Sequence, residues 1–194
     1  MRTRIALATV TLAAALLSLP ALAVEVAGVK IDDTAKVAGQ ELKLNGAGVR
    51  TRAIFKVYAM GLYLGKKAAT PEEVFAAPGP KRMSLTFLRD VDSQEFSKQF
   101  MKGFADNTGA DEVAKLAPAL TRMSQLITEQ KKFQTGDTLT IDWIPGSGTV
   151  IAFKGQPQGQ PFRESELMNG LLAMWVGKNP ADARLKDALL GKPS

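Results

Sequence analysis

Two polar side chains lie within an apolar, strand-like run, residues 44–64, and they are the residues whose types could do chemistry. Arg50 follows a glycine-rich stretch, and the planar fork of its guanidinium suits a carboxylate or phenolate oxygen. Tyr58 lies eight residues further on, with the same strand parity. A straight strand would separate the two Cα atoms by about 26 Å. The pair therefore predicts an anion site only if the chain turns near Arg52 and Ala53.

Each of these residues also has a purely structural explanation. Arg50 would serve equally as one half of an ion pair with any of the 19 acidic groups. Tyr58 would serve as a core residue with one satisfied hydroxyl. Phe96, Phe100 and Phe104 recur at every fourth position, so we interpret this stripe first as the buried face of a helix. Residue types alone leave the function open.

The residue types that are missing narrow the chemistry. The chain has no histidine and no cysteine, so it cannot build a Ser-His-Asp or Cys-His nucleophile system. It also lacks the usual ligands of zinc, copper and haem. The glycine-rich motifs of dinucleotide and P-loop sites do not occur in the sequence. We therefore expect no metal and no cofactor, and these patterns indicate no catalytic residue.

The first 23 residues have the features of a cleaved secretory signal. A basic start precedes an apolar run at residues 5–19, and the small residues Ala21 and Ala23 form a cleavage site. The run is shorter than the roughly 20 residues that a membrane span needs. We expect cleavage after Ala23, a periplasmic protein without a stable membrane anchor, and a single domain over residues 24–194.

The charges indicate an ordinary solvated surface. Removing Arg2 and Arg4 with the predicted signal lowers the net charge from +6 to +4. The densest basic cluster in the sequence is Lys131 and Lys132, which lies beside Glu129. Because the basic residues are otherwise scattered along the chain, we expect no nucleic-acid partner and no polybasic membrane patch.

Hydrophobic periodicity and turn residues predict the elements that must position the arginine and the tyrosine. The predicted strands cover residues 24–31, 41–44, 54–64, 82–88, 138–144 and 149–153, with a bulge or a close backbone approach at Asn45, Gly46 and Gly48. The predicted helices begin after Thr70, Asp92 and Ser165, cover 111–132 with a break at Pro118, and end with a short helix around Leu185 and Leu189. Strands in hairpins, with helices between and after them, predict an α+β fold in which helices cover one face of an antiparallel sheet.

The run GAGVR, followed by KVYAMGLYL, resembles the signature of the chalcone isomerase-like family. The helix opening SQEFSKQF and the late helix at residues 171–177 lie where that family has them. The resemblance covers nearly the whole predicted domain. It implies an open-faced β-sandwich with a ligand cleft between the sheet and the helices.

The resemblance also implies roles for individual residues. In true chalcone isomerases an arginine stabilises a phenolate, while a threonine and a tyrosine polarise the ketone. Arg50 matches the arginine, but Tyr58 falls on the threonine position and Phe96 on the tyrosine position. Further polar substrate contacts of the family fall near Gly103 and Met174. Arginine with tyrosine instead resembles the family's non-catalytic fatty-acid-binding members, where such a pair holds a carboxylate.

Three functions remain open from the sequence. The first is a non-catalytic protein that binds a fatty acid or a similar small amphipathic acid. Its ligand-binding residues would be Arg50, Tyr58, Phe96, Phe100 and Met174. The second is an isomerase, an intramolecular lyase acting on a phenolic or enone substrate. The third is an interaction or structural module whose cleft is closed by its own side chains.

Overall fold

The computed structural model describes residues 23–192, so the predicted signal segment lies outside the described residues except for Ala23. The strands are β1 (Ala23–Val26), β2 (Val29–Asp32), β3 (Thr34–Val37), β4 (Gln40–Arg52), β5 (Phe55–Leu64), β6 (Lys81–Phe87), β7 (Val91–Asp92), β8 (Lys132–Phe133), β9 (Thr138–Ile144), β10 (Gly148–Phe153) and β11 (Gln156–Pro157). The helices are α1 (Pro71–Ala76), α2 (Ser93–Asn107), α3 (Ala110–Glu129), α4 (Ser165–Val176) and α5 (Ala183–Leu189).

Seven strands form one antiparallel sheet in the order β11-β10-β9-β6-β5-β4-β3. The main core lies between one face of this sheet and the helices, where Met60, Leu62 and Leu85 of the strands meet Leu171 and Trp175 of α4. This arrangement confirms the predicted α+β fold with helices on one face of an antiparallel sheet.

A second, smaller core lies on the opposite face of the sheet. Ile31 of the β1–β2 hairpin packs there with Leu42, Leu44, Ala59 and Tyr63. The predicted single strand at residues 24–31 is therefore wrong, because Ala27 and Gly28 turn the chain into this hairpin. Both turn residues have positive φ, 52° and 82°, a pattern that closes a two-residue hairpin.

The phenylalanine stripe of α2 is buried as predicted. Asp92 caps the helix and accepts hydrogen bonds from the amides of Gln94 and Glu95. Phe96, Phe100 and Phe104 are at most 7% exposed, and the Phe100 ring meets Trp175 edge-on at a centroid distance of 6.0 Å. The stripe joins α2 to the sheet and to α4.

Two predicted helix features are wrong. Pro118 does not split α3, which runs unbroken from Ala110 to Glu129. Proline frees the carbonyl four residues earlier, and that residue, Ala114, is exposed to water like Pro118 itself. Ser165 is the first residue of α4 rather than its cap, and its hydroxyl bonds to Glu166.

Candidate functional site

A β-bulge at Asn45 directs the following residues of β4 toward the helices. The pairing with β5 shifts register between Leu44 and Gly46, so Leu44 faces the smaller core while Gly46 faces α5. The buried Asn45 side chain holds the bulge, since it accepts from Ala68 N at 2.7 Å and donates to the carbonyls of Ala68 and Leu189. The predicted bulge is confirmed, and it places Arg50 on the helix side of the sheet.

The two glycines before Arg50 make room for α5. A Cβ at Gly46 would lie 2.0 Å from the carbonyl oxygen of Ala188, and a Cβ at Gly48 would lie 2.7 Å from the Ala188 methyl group. The predicted close backbone approach is confirmed. Arg50 is the next residue on this face, and it lies just beyond the start of α5, where Asp182 caps the helix.

A second bulge brings Tyr58 opposite Arg50. β4 and β5 are joined by the two turn residues Ala53 and Ile54, with Arg52 paired to Phe55. Continuing that register would place Val57 opposite Arg50, and Tyr58 would face the other way. The register shift beside Arg50 leaves Val57 as the extra residue, so Arg50 pairs with Tyr58 instead. The predicted convergence is confirmed, although equal strand parity is not its cause.

The guanidinium of Arg50 has no carboxylate partner in the part of the chain that the structure describes. Arg50 makes no ion pair within residues 23–192, and its Nε is buried without a hydrogen-bond partner. Its Cζ lies 5.8 Å from the centroid of the Tyr58 ring. Nearby Asp182 is occupied, because it accepts from the amides of Thr51, Arg184 and Leu185. The structural ion pair considered for Arg50 is therefore not formed.

The Tyr58 hydroxyl is neutral and accepts one hydrogen bond. It is 3% exposed, and its hydroxyl accepts a hydrogen bond from Trp175 Nε1 at 2.8 Å. Burial raises the pKa of Tyr58 to about 12, although Arg50 and the Trp175 hydrogen bond act in the opposite direction. The described residues offer the hydroxyl hydrogen no acceptor. Tyr58 can therefore donate it to an anion that Arg50 attracts.

Two cavities adjoin Arg50. The inner one holds only about 30 Å³ and lies among Tyr58, Phe100, Met174 and Trp175. That volume is close to the share of a single water molecule in the liquid. The outer one holds about 400 Å³, within the range of small-molecule sites. Arg50 lines both cavities and stands between them.

The outer cavity has apolar walls beneath a charged rim. Its apolar lining comes from Phe55 and Val57 of β5, Val91 of β7 and Phe96 of α2. The rim residues are Arg52, Arg89, Asp90, Asp92, Glu95 and Gln99. Arg52 and Glu95 form an ion pair at 3.0 Å, and the Arg89 guanidinium lies 4.4 Å from the centroid of the Phe55 ring.

The five residues predicted to bind a ligand fall into two groups according to the cavity that they line. Arg50 and Phe96 line both cavities, whereas Tyr58, Phe100 and Met174 line only the inner one. Ligand contact by these residues stays a prediction.

Sequence reasoning missed other parts of the site. The residue patterns single out none of Trp175, Phe55, Val57 and Arg89 as part of a site. One sequence signal pointed to this end of the sheet: Ala53 and Ile54 form a turn between two long strands without the glycine that such turns usually contain.

The described residues contain neither a clustered metal site nor a membrane-spanning helix. Between Ala23 and Lys192 no three acidic side chains are grouped to hold a metal ion. No helix in the same range is long and apolar enough to cross a bilayer.

An antiparallel sheet under a layer of helices, with an arginine beside an interlayer cleft, defines a class of open-faced β-sandwich. A family model described as chalcone isomerase-like matches residues 23–191. The chain therefore belongs to the chalcone isomerase-like family, and the resemblance predicted from the sequence is confirmed. A comparison with curated proteins gives no match.

The chain is also similar to a solved structure. The crystal structure of a fatty-acid binding protein from Arabidopsis thaliana matches it with a TM-score of 0.69. The match covers 84% of this chain and 92% of that chain at 16% sequence identity. At this identity the similarity shows the shared fold.

Proposed function

We propose that the protein binds a small amphipathic acid of the fatty-acid class, with its carboxylate at Arg50. The environment of Arg50 carries this proposal, because a buried donor without a partner is costly and a carboxylate oxygen would satisfy it. A charge-assisted contact of this kind is about twice as strong as a neutral hydrogen bond. No described carboxylate forms an ion pair with the guanidinium.

Tyr58 adds the second contact to the head group. Its raised pKa, about 12, keeps the hydroxyl protonated at ordinary pH, so it donates to a carboxylate rather than repelling it. Trp175 fixes the hydroxyl oxygen from the other side. The two carboxylate oxygens would then be shared between Arg50 and Tyr58.

The outer cavity is the proposed place for the hydrocarbon tail. Its volume of about 400 Å³ and its apolar walls suit a chain, whereas the inner cavity of about 30 Å³ does not. Phe96 would contact the start of the tail next to Arg50. Phe100 and Met174 would close the inner end behind the head group.

These observations favour binding over the two other functions. Tyr58 supplies the only hydroxyl among the side chains that line the inner cavity, and Phe96 offers none for polarising a ketone. The closed-cleft description fits the inner cavity alone. The solved structure of the same fold from Arabidopsis thaliana is named as a fatty-acid binding protein, which supports the same ligand class here.

We also propose that the protein acts in the periplasm after loss of residues 1–23. The basic start, short apolar run and small-residue cleavage site support this location.

Native mass spectrometry of the protein purified from a periplasmic fraction tests the binding function. We expect an added mass equal to one acid per chain, which disappears after delipidation and returns when a fatty acid is supplied. Extraction with organic solvent should release the same acid. A chain that carries no acid after purification, and takes none up after delipidation, would contradict the proposed function.

A further inference from the structure

The tip of the β4–β5 hairpin presents large apolar side chains to solvent. Ile54 is 85% exposed and Phe55 is 52% exposed. Among the large hydrophobic residues between Ala23 and Lys192, the only other exposed one is Val24 at 46%. Ile54 and Phe55 are adjacent at the end of a long hairpin, so they form one exposed apolar patch rather than isolated surface residues.

The residues of the β4–β5 turn differ from those of the other two-residue hairpin turns in the described part of the chain. Three other two-residue hairpin turns consist of a residue followed by glycine, both with positive φ: Ala27-Gly28, Ala38-Gly39 and Lys154-Gly155. The β4–β5 turn instead uses Ala53, with a φ of 54°, followed by Ile54. Ala53 has the same conformation as Ala27 and Ala38, so the difference lies at the second turn position, where isoleucine, a poor turn residue, takes the place of glycine.

Basic side chains surround the tip. Arg52, Lys56 and Arg89 are exposed and lie within the hairpin or against Phe55. The nearby carboxylates compensate part of this charge, since Glu95 pairs with Arg52 and Asp90 pairs with Lys132. Among residues 23–192, Lys56 and Arg89 form no ion pair. Asp92 accepts from two amides at the start of α2. Basic residues that are scattered in the sequence are thus gathered around an apolar point.

We propose that this hairpin tip docks on the surface of an anionic phospholipid membrane. Ile54 and Phe55 would enter the headgroup and acyl boundary, while Lys56 and Arg89 would contact lipid phosphates. Each basic residue near an anionic surface strengthens binding roughly fivefold. Ala53 and Phe55 of the tip also line the outer cavity, so docking places its opening against the lipid. That entry role for a lipid-derived acid rests on the proposed function, whereas the docking itself does not.

The size of the tip favours a membrane over a protein partner. A stable protein interface buries about 800 Å² on each partner, far more than two side chains present. A bilayer can accept the tip without a surface of complementary shape, and an anionic bilayer offers both an apolar interior and negatively charged headgroups. Ile54, Phe55 and their basic neighbours match both properties.

Flotation of the delipidated protein with vesicles tests the docking. Vesicles of equal parts phosphatidylglycerol and phosphatidylcholine should bind the protein, and vesicles of phosphatidylcholine alone should bind it at least roughly tenfold more weakly. Added salt should weaken binding to the anionic vesicles. Ile54→Asp should lower binding by at least roughly tenfold, because it removes the apolar anchor and adds a repelled charge.

Val24→Asp is the matched control, since Val24 is the other exposed large apolar residue and lies beside Leu44 and Gly46 near the opposite end of β4. It should leave vesicle binding within about twofold of wild type. Equal binding by Ile54→Asp and wild type, equal losses in both variants, or formation of a dimer through the tip would each overturn the docking. Arg50→Ala should lose acid binding yet keep vesicle binding, so the two proposals fail separately.

Discussion

Arg50 and Tyr58 gain their chemistry from what surrounds them. Among residues 23–192 Arg50 forms no ion pair, and its Nε is buried without a hydrogen-bond partner there. Tyr58 receives a hydrogen bond from Trp175 and keeps its own hydrogen to donate. The result is a site with two donors beside apolar walls, which suits the proposed anion with apolar material attached.

The raised pKa of Tyr58 gives the folded protein a measurable dependence on pH. Its value of about 12, against 10.0 for the free side chain, means that the folded state holds the proton longer than the unfolded state. The resulting stability is complete below about pH 10 and is lost as the pH rises through about 12. A shift of this size corresponds to roughly 2–3 kcal/mol.

Tyr58→Phe isolates this effect. At neutral pH the variant leaves the indole N–H of Trp175 without a partner, which should lower the free energy of unfolding by about 1–3 kcal/mol. The difference between wild type and variant should then shrink between about pH 10 and pH 12. Denaturant unfolding across this range provides the measurement. A difference that does not change with pH would show that Tyr58 ionises normally.

Bulges and glycines position the site at the scale of the elements. The bulge at Asn45 turns the GAGVR run toward the helices, and the bulge at Val57 brings Tyr58 opposite Arg50. Gly46 and Gly48 then allow α5 to lie directly on β4. The cap of that helix, Asp182, holds the amide of Thr51 next to Arg50. These contacts hold β4, α5 and Arg50 in fixed positions relative to one another.

Gly46→Ala tests this close packing. The new methyl group would lie 2.0 Å from the backbone oxygen of Ala188, so α5 must shift. We expect the free energy of unfolding to fall by about 1–3 kcal/mol, measured by denaturant unfolding. Gly65→Ala is the control, because the nearest atom to its Cβ would be the carbonyl oxygen of Pro78 at 4.0 Å. Equal stability of the two variants would contradict the packing described for α5.

Sequence reasoning reached β5, β6, β9 and β10, the buried face of α2 and the pair at the site, and its failures have local causes. The α2 cap and phenylalanine stripe are local patterns, so they were predictable. The register shift at Val57 was not, because no turn or glycine signal marks it. The hairpin at Ala27 was missed because the alternation of apolar and other residues continues across the turn at Ala27 and Gly28, as it would in a single strand. The outer cavity depends on Arg89, Val91 and other residues from separate elements, which only the tertiary fold brings together.

At the scale of the whole molecule, the site lies at one end of the sandwich. The inner cavity lies against α2 and α4, and the outer one opens beside the β4–β5 turn. The exposed apolar tip belongs to the same end. An acid entering past Phe55 would therefore meet Arg50 before it reaches the closed interior. Head-group recognition and access to lipid would occupy a single end of the fold.

Calorimetric titration of the delipidated protein with laurate tests the central claim most directly. Removing the guanidinium in Arg50→Ala should weaken binding by at least roughly tenfold, because a charge-assisted contact is lost. Arg163→Ala removes the same charge from an exposed residue that lines neither cavity, and it should bind within about twofold of wild type. Equal affinity of Arg50→Ala and Arg163→Ala would contradict the assignment of Arg50 as the head-group anchor.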